Sequence, residues 1–370
     1  MAEEYRILVV DDTVTYRKIM SEVVNGIPGA KLLGTASNGR LALKKVETLK
    51  PDIVLCDVEM PEMDGLETLK RINKTYPKIG VIMVSGASTR SANLTIKALN
   101  AGALDFVPKP EGLGFSESME ILQEKITPLL RLHNTKQMAR QARGHIQRNS
   151  TSSRPSAKKT AAVVKRRAIA NAPTPKRFDL LAIGVSTGGP EALTTVIPML
   201  PEKLNVPVVL VQHMPPIFTN SLAKNLDRKS KVSVKEAEDG DVLEKGVVYI
   251  APGGFHMILR KTDDGQKIKV ALNQSPPVKS CRPSVDVLFR SIASVKPGNT
   301  LAVIMTGMGD DGNDGVAALK RKGCYCVTQS EDSCVVYGMP RAVDEAGLSD
   351  RSVRLEKLAE HVSNKLLLLG

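Results

Sequence analysis

The chain has 370 residues, enough for two domains of ordinary size. No apolar run reaches the roughly 18–20 residues that a membrane-spanning helix needs, so membrane insertion is not expected. The formal net charge is +13, which taken alone favours a nucleic-acid-binding protein. Residues 131–177 hold 13 Lys and Arg and no Asp or Glu, and the other 39 basic residues equal the 39 acidic ones. The excess charge therefore belongs to one segment, and we expect no nucleic-acid partner.

The cysteines predict a reduced protein. There are five of them, and none belongs to a CxxC pair. Cys324 and Cys326 lie one residue apart in an apolar run, as in a buried strand. Because this spacing provides no disulfide framework, we expect free thiols in a reducing cytoplasm. The apolar run near the N-terminus is too short for a signal peptide, which agrees with a cytoplasmic location.

Residues 1–130 alternate short apolar runs with amphipathic segments. This alternation predicts a parallel sheet covered by helices on both faces, that is, a doubly wound α/β domain. The predicted strands are 6–10, 31–36, 52–57, 79–85 and 103–108, and the predicted helices lie near 15–25, 39–50, 66–75, 91–101 and 117–130.

Residues 131–177 have a different composition. They are rich in Ser, Thr, Pro and basic residues and contain few large apolar ones. Such a segment buries too little surface to offset its chain entropy, so we predict a basic flexible linker. Its first residues are interpreted as a possible extension of the preceding helix.

Residues 178–370 resume the alternation and predict a second, mostly parallel α/β domain. An antiparallel hairpin is expected around 246–272. The predicted strands are 178–184, 206–213, 246–252, 256–260, 268–272, 301–307 and 324–329, and the predicted helices lie near 189–200, 217–227, 284–294, 312–322 and 354–368.

Three carboxylates follow strands of the first domain. Asp11 and Asp12 come directly after the first strand, and Asp57 closes the third. Because ligands of parallel α/β sheets lie beyond the carboxyl ends of the strands, these acids should converge. Oxygen ligands of this kind suit Mg²⁺. Ser85 and Lys109 follow two further strands at the same edge, where a hydroxyl and an ammonium suit an anion on Asp57.

The first domain resembles the receiver domain of two-component response regulators. The matching motifs are "VVDD", "LCDVEMPEMDG", "VSG" and "FVPKP". The resemblance implies a flavodoxin-like fold, Mg²⁺ as cofactor, and a histidine kinase that phosphorylates Asp57. It implies these roles for matching residues: Asp11, Asp12 and Asp57 bind Mg²⁺, Ser85 and Lys109 contact the phosphoryl group, and Phe106 is the aromatic switch residue.

The stretch "GVSTGG" at 184–189 raises the question of what Ser186 does. It lacks the G-x-G-x-x-G of dinucleotide-binding folds and the G-K-[ST] of phosphate-binding loops. It matches G-x-S-x-G, the strand-to-helix elbow that presents a serine oxygen. Since a serine alone is a poor nucleophile, this interpretation requires a nearby base.

His213 is the candidate base. It ends an apolar strand, so it should lie at the same sheet edge as Ser186. The other four histidines fall in the linker region, in a terminal helix, or at the start of a hairpin strand. Asp310 and Asp311, in a Gly-rich turn after a later strand, are both candidates to orient the imidazole.

The second domain is similar to the catalytic domain of the chemotaxis receptor methylesterase family. The matching motifs include "IGVSTGGPEAL", "VQHMPPIFT", "YIAPGGFHM", "RPSVDVLF", "TGMGDDG" and "CVVYGMPR". The resemblance implies Ser186 as nucleophile, His213 as general base and Asp311 as its orienting acid. It associates Thr187 and Met308 with the oxyanion site, and it implies no metal or cofactor in this domain.

Together the two resemblances imply a phosphorylation-controlled hydrolase. Its substrates would be glutamate methyl esters and selected glutamines of methyl-accepting chemotaxis receptors, with release of methanol or ammonia. We expect a monomer in which the unphosphorylated receiver domain inhibits the esterase. The alternatives are a DNA-binding response regulator, a non-catalytic scaffold that retains the fold, and a hydrolase of esters or amides on another protein.

Overall fold

A computed structural model describes residues 4–110, 112, 114–146, 177–295 and 300–367. The chain divides into two compact units, each containing its own parallel sheet. Within the described ranges, no helix has both the length and the apolar character required to cross a membrane.

The first sheet has five parallel strands in the order β2-β1-β3-β4-β5, which confirms the flavodoxin-like prediction. The strands are β1 (Tyr5–Val10), β2 (Ala30–Ala36), β3 (Ile53–Asp57), β4 (Gly80–Ser85) and β5 (Asp105–Pro108). The helices are α1 (Val14–Asn25), α2 (Gly39–Leu49), α3 (Gly65–Thr75), α4 (Thr89–Asn100) and α5 (Phe115–Ile146). Every residue of β3 and β4 is buried, as expected where helices cover both faces of a parallel sheet.

Side-chain caps define where four of these helices begin. A polar residue precedes each helix, and its side-chain oxygen accepts a hydrogen bond from the backbone N–H three residues later. The capping residues are Thr13, Asn38, Asp64 and Ser88. Helix α1 therefore begins directly after the two acids that follow β1, which leaves those acids at the carboxyl edge of the sheet.

Helix α5 continues beyond the predicted domain boundary, as far as Ile146. Leu129, Leu130 and His133 on it are buried. The first part of the predicted linker is thus helical, and its remainder, residues 147–176, lies outside the described residues.

The second sheet has seven parallel strands in the order β14-β13-β12-β6-β7-β9-β8, and β10 and β11 form a separate antiparallel pair. The strands are β6 (Leu180–Val185), β7 (Val208–Gln212), β8 (Ser233–Glu236), β9 (Val247–Ile250), β10 (His256–Lys261), β11 (Ile268–Asn273), β12 (Thr300–Ile304), β13 (Tyr325–Gln329) and β14 (Arg351–Val353). The helices are α6 (Gly189–Val196), α7 (Phe218–Asp227), α8 (Val285–Val295), α9 (Asn313–Lys320), α10 (Met339–Glu345) and α11 (Leu355–Leu367). The hairpin is the one predicted from the sequence.

The strand order places a topological switch point in the second sheet. From β6 the chain proceeds to β7 on one side, and later returns to β12 on the other side of β6. In open α/β sheets, the crevice at such a point is the usual ligand site. The segments that follow β6, β7 and β12 therefore border this crevice.

Candidate active site and candidate phosphorylation site

Ser186 is the first residue after β6. Its N–H donates to the Thr306 carbonyl (3.0 Å), and its own carbonyl accepts hydrogen bonds from Gly189 N (2.8 Å) and Gln212 Nε2 (2.9 Å). The turn requires Gly188, because its φ is +74° and a Cβ there would collide with the Val335 side chain. The serine backbone is thus fixed by the two neighbouring strands.

A second glycine allows the turn after β12 to lie against the serine. A Cβ on Gly307 would lie 2.8 Å from Ser186 Cβ and would also collide with the Met339 side chain. Since real Cβ atoms do not approach so closely, only glycine fits at this position. The Gly-rich composition of "TGMGDDG" therefore has a packing reason close to the serine.

His213 is the first residue after β7, the strand next to β6. Strands β6 and β7 pair with Val185 opposite Gln212, and His213 N donates to the Val185 carbonyl (3.1 Å). Ser186 and His213, the residues that follow this pair, therefore lie opposite each other at the ends of two adjacent strands, whose usual separation is about 5 Å. On the side chain, Nε2 is 2.7 Å from Asp311 Oδ2, and Nδ1 is 3.4 Å from Cys281 Sγ.

The buried side chain of Asp311 contacts the N-terminal end of helix α8, although Asp311 itself comes later in the chain. Three donors from the segment before and inside that helix satisfy its carboxylate, in addition to the imidazole. They are Ser284 Oγ (2.9 Å), Val285 N (2.7 Å) and Asp286 N (3.0 Å). Asp311 is thus both the partner of His213 and the cap of α8.

Asp286 performs the reciprocal role for helix α9. Its Oδ1 accepts hydrogen bonds from Gly312 N (3.0 Å) and Gly315 N (2.7 Å), at the beginning of α9. Its other oxygen, Oδ2, is 3.0 Å from Lys279 Nζ. Asp311 therefore caps α8, the helix that contains Asp286, and Asp286 caps α9, the helix that follows Asp311. Lys279 balances the charge of Asp286.

These contacts shift the pKa values of the His213–Asp311 pair apart. Burial alone would lower the pKa of His213, but its hydrogen bonds with Asp311 and Cys281 outweigh burial and raise it to about 9. Burial would raise the pKa of Asp311, but the hydrogen bonds from His213 and from the α8 backbone lower it to about 2. Both shifts favour a proton on His213 and a negative charge on Asp311, so the imidazole acts as a base only in the molecules in which His213 is neutral.

The structure distinguishes between the two acids of the Gly-rich turn. Asp311 contacts the imidazole, whereas the Asp310 side chain is 60% exposed and pairs with Lys279 (3.1 Å). In this conformation Ser186 Oγ makes no hydrogen bond with His213 or with any other described residue. The predicted hydrogen bond between the serine and the imidazole is therefore not formed. The Thr187 carbonyl accepts a hydrogen bond from Thr306 Oγ1 (2.9 Å), and Met308 is 41% exposed.

Sequence reasoning gave no role to four residues of this site: Cys281, Asp286, Lys279 and Ser284. All four lie in the stretch "KSCRPSVD", which comes shortly before and at the start of α8. A serine followed closely by an aspartate before an apolar helix is a capping signal, and it could have located Ser284 and Asp286. No signal in the sequence places Cys281 beside a histidine 68 positions away.

The three predicted acids of the first unit converge at the carboxyl edge of its sheet. One oxygen from each of Asp11, Asp12 and Asp57 lies within 4.8 Å of the others. Lys109 Nζ lies between two of them, 2.7 Å from Asp11 Oδ2 and 2.8 Å from Asp57 Oδ2. Burial is the main cause that raises the pKa of Asp57 to about 6, while Lys109 acts against it. Three convergent carboxylates are a donor set that fits Mg²⁺.

The two remaining predicted residues lie on neighbouring strands. Ser85 is buried at the end of β4, and its Oγ accepts a hydrogen bond from Thr95 Oγ1 (2.8 Å). Phe106 is half-buried on β5, and its N–H donates to Asp105 Oδ1 (2.8 Å). Ser85 is on the strand next to β3, which carries Asp57, and Phe106 is one strand further away.

Comparisons with known proteins assign both units. The CheB methylesterase family matches residues 181–362, and the response regulator receiver domain family matches residues 7–115. A protein-glutamate methylesterase/protein-glutamine glutaminase of Desulfotalea psychrophila is 39% identical over 359 residues, covering 96% of this chain and 97% of its own length. The enzyme of the same name from Geobacillus kaustophilus is 45% identical over 355 residues, covering 96% of each chain. The crystal structure of the Thermotoga maritima CheB methylesterase catalytic domain is 42% identical, with a TM-score of 0.49, and covers 50% of this chain and 98% of that one.

We predict that replacing Asp286 by alanine destabilises the second unit. The change removes two hydrogen bonds that cap α9 and leaves Lys279 without its buried partner. The expected decrease in the free energy of unfolding is about 2–4 kcal/mol. Pulse proteolysis across a urea series measures this, with peptides from residues 177–295 scored by mass spectrometry.

Asp310→Ala is the matched control, because Asp310 contacts the same lysine from an exposed position. Its expected cost is below about 1 kcal/mol. Equal unfolding midpoints for the two variants would contradict the capping role of Asp286.

Proposed function

Because this chain belongs to the protein-glutamate methylesterase/protein-glutamine glutaminase family, we propose that it hydrolyses glutamate methyl esters and selected glutamines of chemotaxis receptors. One observation carries the assignment of the site. His213 follows the strand next to β6 at the switch point of the sheet, and its Nε2 is 2.7 Å from the buried Asp311. This geometry supports Ser186 as nucleophile, His213 as base and Asp311 as orienting acid at one crevice.

The proposed base is the neutral form of His213. Ser186 Oγ attacks the ester or amide carbonyl while His213 Nδ1 accepts the serine proton. The imidazolium then gives this proton to the leaving ester oxygen or amide nitrogen, so that methanol or ammonia is released. Asp311 holds Nε2 and stabilises the imidazolium that forms during the attack. Water repeats the sequence on the acyl-serine, giving glutamate. Because Nδ1 faces Cys281 in this conformation, Ser186 Oγ has to replace the Cys281 sulfur beside Nδ1 before the attack.

The oxyanion of the tetrahedral intermediate requires hydrogen-bond donors in the same crevice. We assign this role to backbone N–H groups at Thr187 and Met308, in the turns that follow β6 and β12. The close approach that Gly307 allows between these turns supports the assignment. One such donor contributes about 3–4 kcal/mol to transition-state stabilisation.

Phosphorylation of Asp57 by a histidine kinase is the proposed control of this activity. Asp11, Asp12 and Asp57 would hold Mg²⁺, which when bound neutralises negative charge around the incoming phosphoryl group. Lys109 already contacts two of these carboxylates, so its ammonium is positioned for an anion on Asp57. Ser85 and Phe106 are assigned to the response that follows. A cytoplasmic location and a monomeric state stay predictions.

Ser186→Ala should lower demethylation by about 10⁶-fold, since the nucleophile is lost. The assay uses the full chain with a phosphodonor and receptor membranes that carry radiolabelled methyl esters, and it scores released methanol. Because Ser186 Oγ bonds to no described residue, the substitution should leave folding intact.

Ser294→Ala, an exposed serine on helix α8, is the control and should retain the parental rate. A Ser186→Ala protein that is as active as this control would favour the non-catalytic scaffold or another nucleophile.

Asp57→Asn should abolish the increase in esterase rate that a small-molecule phosphodonor produces in the full chain. The amide has no carboxylate to accept the phosphoryl group. The measured quantity is the ratio of rates with and without phosphodonor.

Asp52→Asn changes an exposed acid just before the same strand, where it pairs with Arg6, and should preserve the ratio. Phosphodonor stimulation that persists in Asp57→Asn would refute control through this residue.

A further inference from the structure

The imidazole of the candidate active site has a second neighbour that the proposed mechanism does not use. Cys281 Sγ is 3.4 Å from His213 Nδ1, while Nε2 of the same ring contacts Asp311. The thiol, the imidazole and the carboxylate thus form a continuous series of contacts. Cys281 is a free cysteine and is partly accessible to solvent. It therefore resembles a nucleophile with its own base and orienting acid.

The loop that carries Cys281 is built to hold it in place. Val278 and Cys281 exchange two backbone hydrogen bonds, of 3.1 and 2.9 Å, across a tight turn. The two residues between them, Lys279 and Ser280, have φ values of +50° and +61°. Such conformations cost roughly 1 kcal/mol or more for residues other than glycine, so other contacts must maintain them. Lys279 supplies these contacts through Asp286 and Asp310.

The other cysteines have environments that suppress reactivity. Cys56, Cys324 and Cys326 are buried, and burial raises the pKa of each of their thiols. Burial also raises the pKa of Cys334, which is partly accessible and whose sulfur faces the Gln329 carbonyl. Since the thiolate is the reactive form, all four should react slowly. Cys281 differs because its sulfur contacts an imidazole.

We propose that Cys281 is a modification site: a reactive thiol, activated by His213, that forms covalent adducts with soft electrophiles. In the step with iodoacetamide, the thiol proton passes to the neutral form of His213 and the sulfur forms a bond to the methylene carbon. The carbon–iodine bond breaks, iodide leaves with the electron pair, and the proton is then released to solvent. The adduct occupies the space beside Nδ1. It therefore blocks the esterase, a consequence that rests on the proposed function.

The test exposes the full chain to iodoacetamide for a series of times and quantifies each cysteine peptide by mass spectrometry. We expect Cys281 to be alkylated at least about tenfold faster than Cys334, the other partly accessible thiol. This comparison lies within one native protein and needs no variant. Equal rates at the two cysteines, or faster labelling of Cys334, would overturn the proposal.

Two histidine variants test whether the imidazole causes the reactivity. His213→Ala should slow Cys281 labelling by about tenfold or more, while His361→Ala, on the terminal helix α11, should leave it unaltered. Circular dichroism checks that both variants are folded. A Cys281 rate that is the same in all three proteins would show that the thiol is merely accessible, which contradicts activation by His213.

The activity readout separates this proposal from the function it extends. In the parental chain, esterase activity should fall with the same time course as the Cys281 adduct forms. The Cys281→Ala variant should keep its initial esterase activity throughout the exposure to iodoacetamide. Rapid labelling without loss of turnover would overturn the blocking role. A chain without any esterase activity would count against the proposed function, and the labelling rates would still decide the reactivity of the thiol.

Discussion

The buried carboxylate of Asp311 is the constraint on which the catalytic unit depends. Burying an unpaired carboxylate costs several kcal/mol, so its environment must supply donors on every side. Here a hydroxyl, two backbone N–H groups and an imidazole do so. The same bonds fix the beginning of α8 and the orientation of His213. A change that releases the helix therefore also releases the imidazole, and the reciprocal cap from Asp286 extends this coupling to α9.

The two units use one topological solution with different chemistry. In each, buried apolar strands form a parallel sheet, and polar side chains collect where neighbouring strands diverge at their carboxyl ends. In the first unit the acids face an ammonium, Lys109, which suits the arrival of an anion. In the second, one acid faces an imidazole, which suits proton transfer. In both units the sheet determines where the polar side chains lie, and the identity of the residues that follow the strands determines the chemistry.

Most strands and helices, and the cluster of carboxylates in the first unit, could be predicted from the sequence because apolar runs and turn signals are local. The predicted strands and helices agree with the structure, and the convergence of Asp11, Asp12 and Asp57 followed from strand order. The missed elements are short: β8 reads Ser-Val-Lys-Glu, β14 has three residues, and α10 has seven. The sequence favoured neither Asp310 nor Asp311 until the family resemblance was added, and it gave no sign of Cys281. Those features depend on contacts between distant segments, which periodicity does not encode.

The central claim is that Asp311 sets the protonation of His213, and an NMR titration of the labelled His213 imidazole in the full chain tests it most directly. The account predicts a pKa of about 9, above the ordinary value near 6.5, because the carboxylate stabilises the imidazolium. In Asp311→Asn that pKa should fall toward the ordinary value, while in Asp310→Asn it should stay near 9. A His213 pKa near 6.5 in the parental chain, or a His213 pKa that is unchanged in Asp311→Asn, would contradict the account.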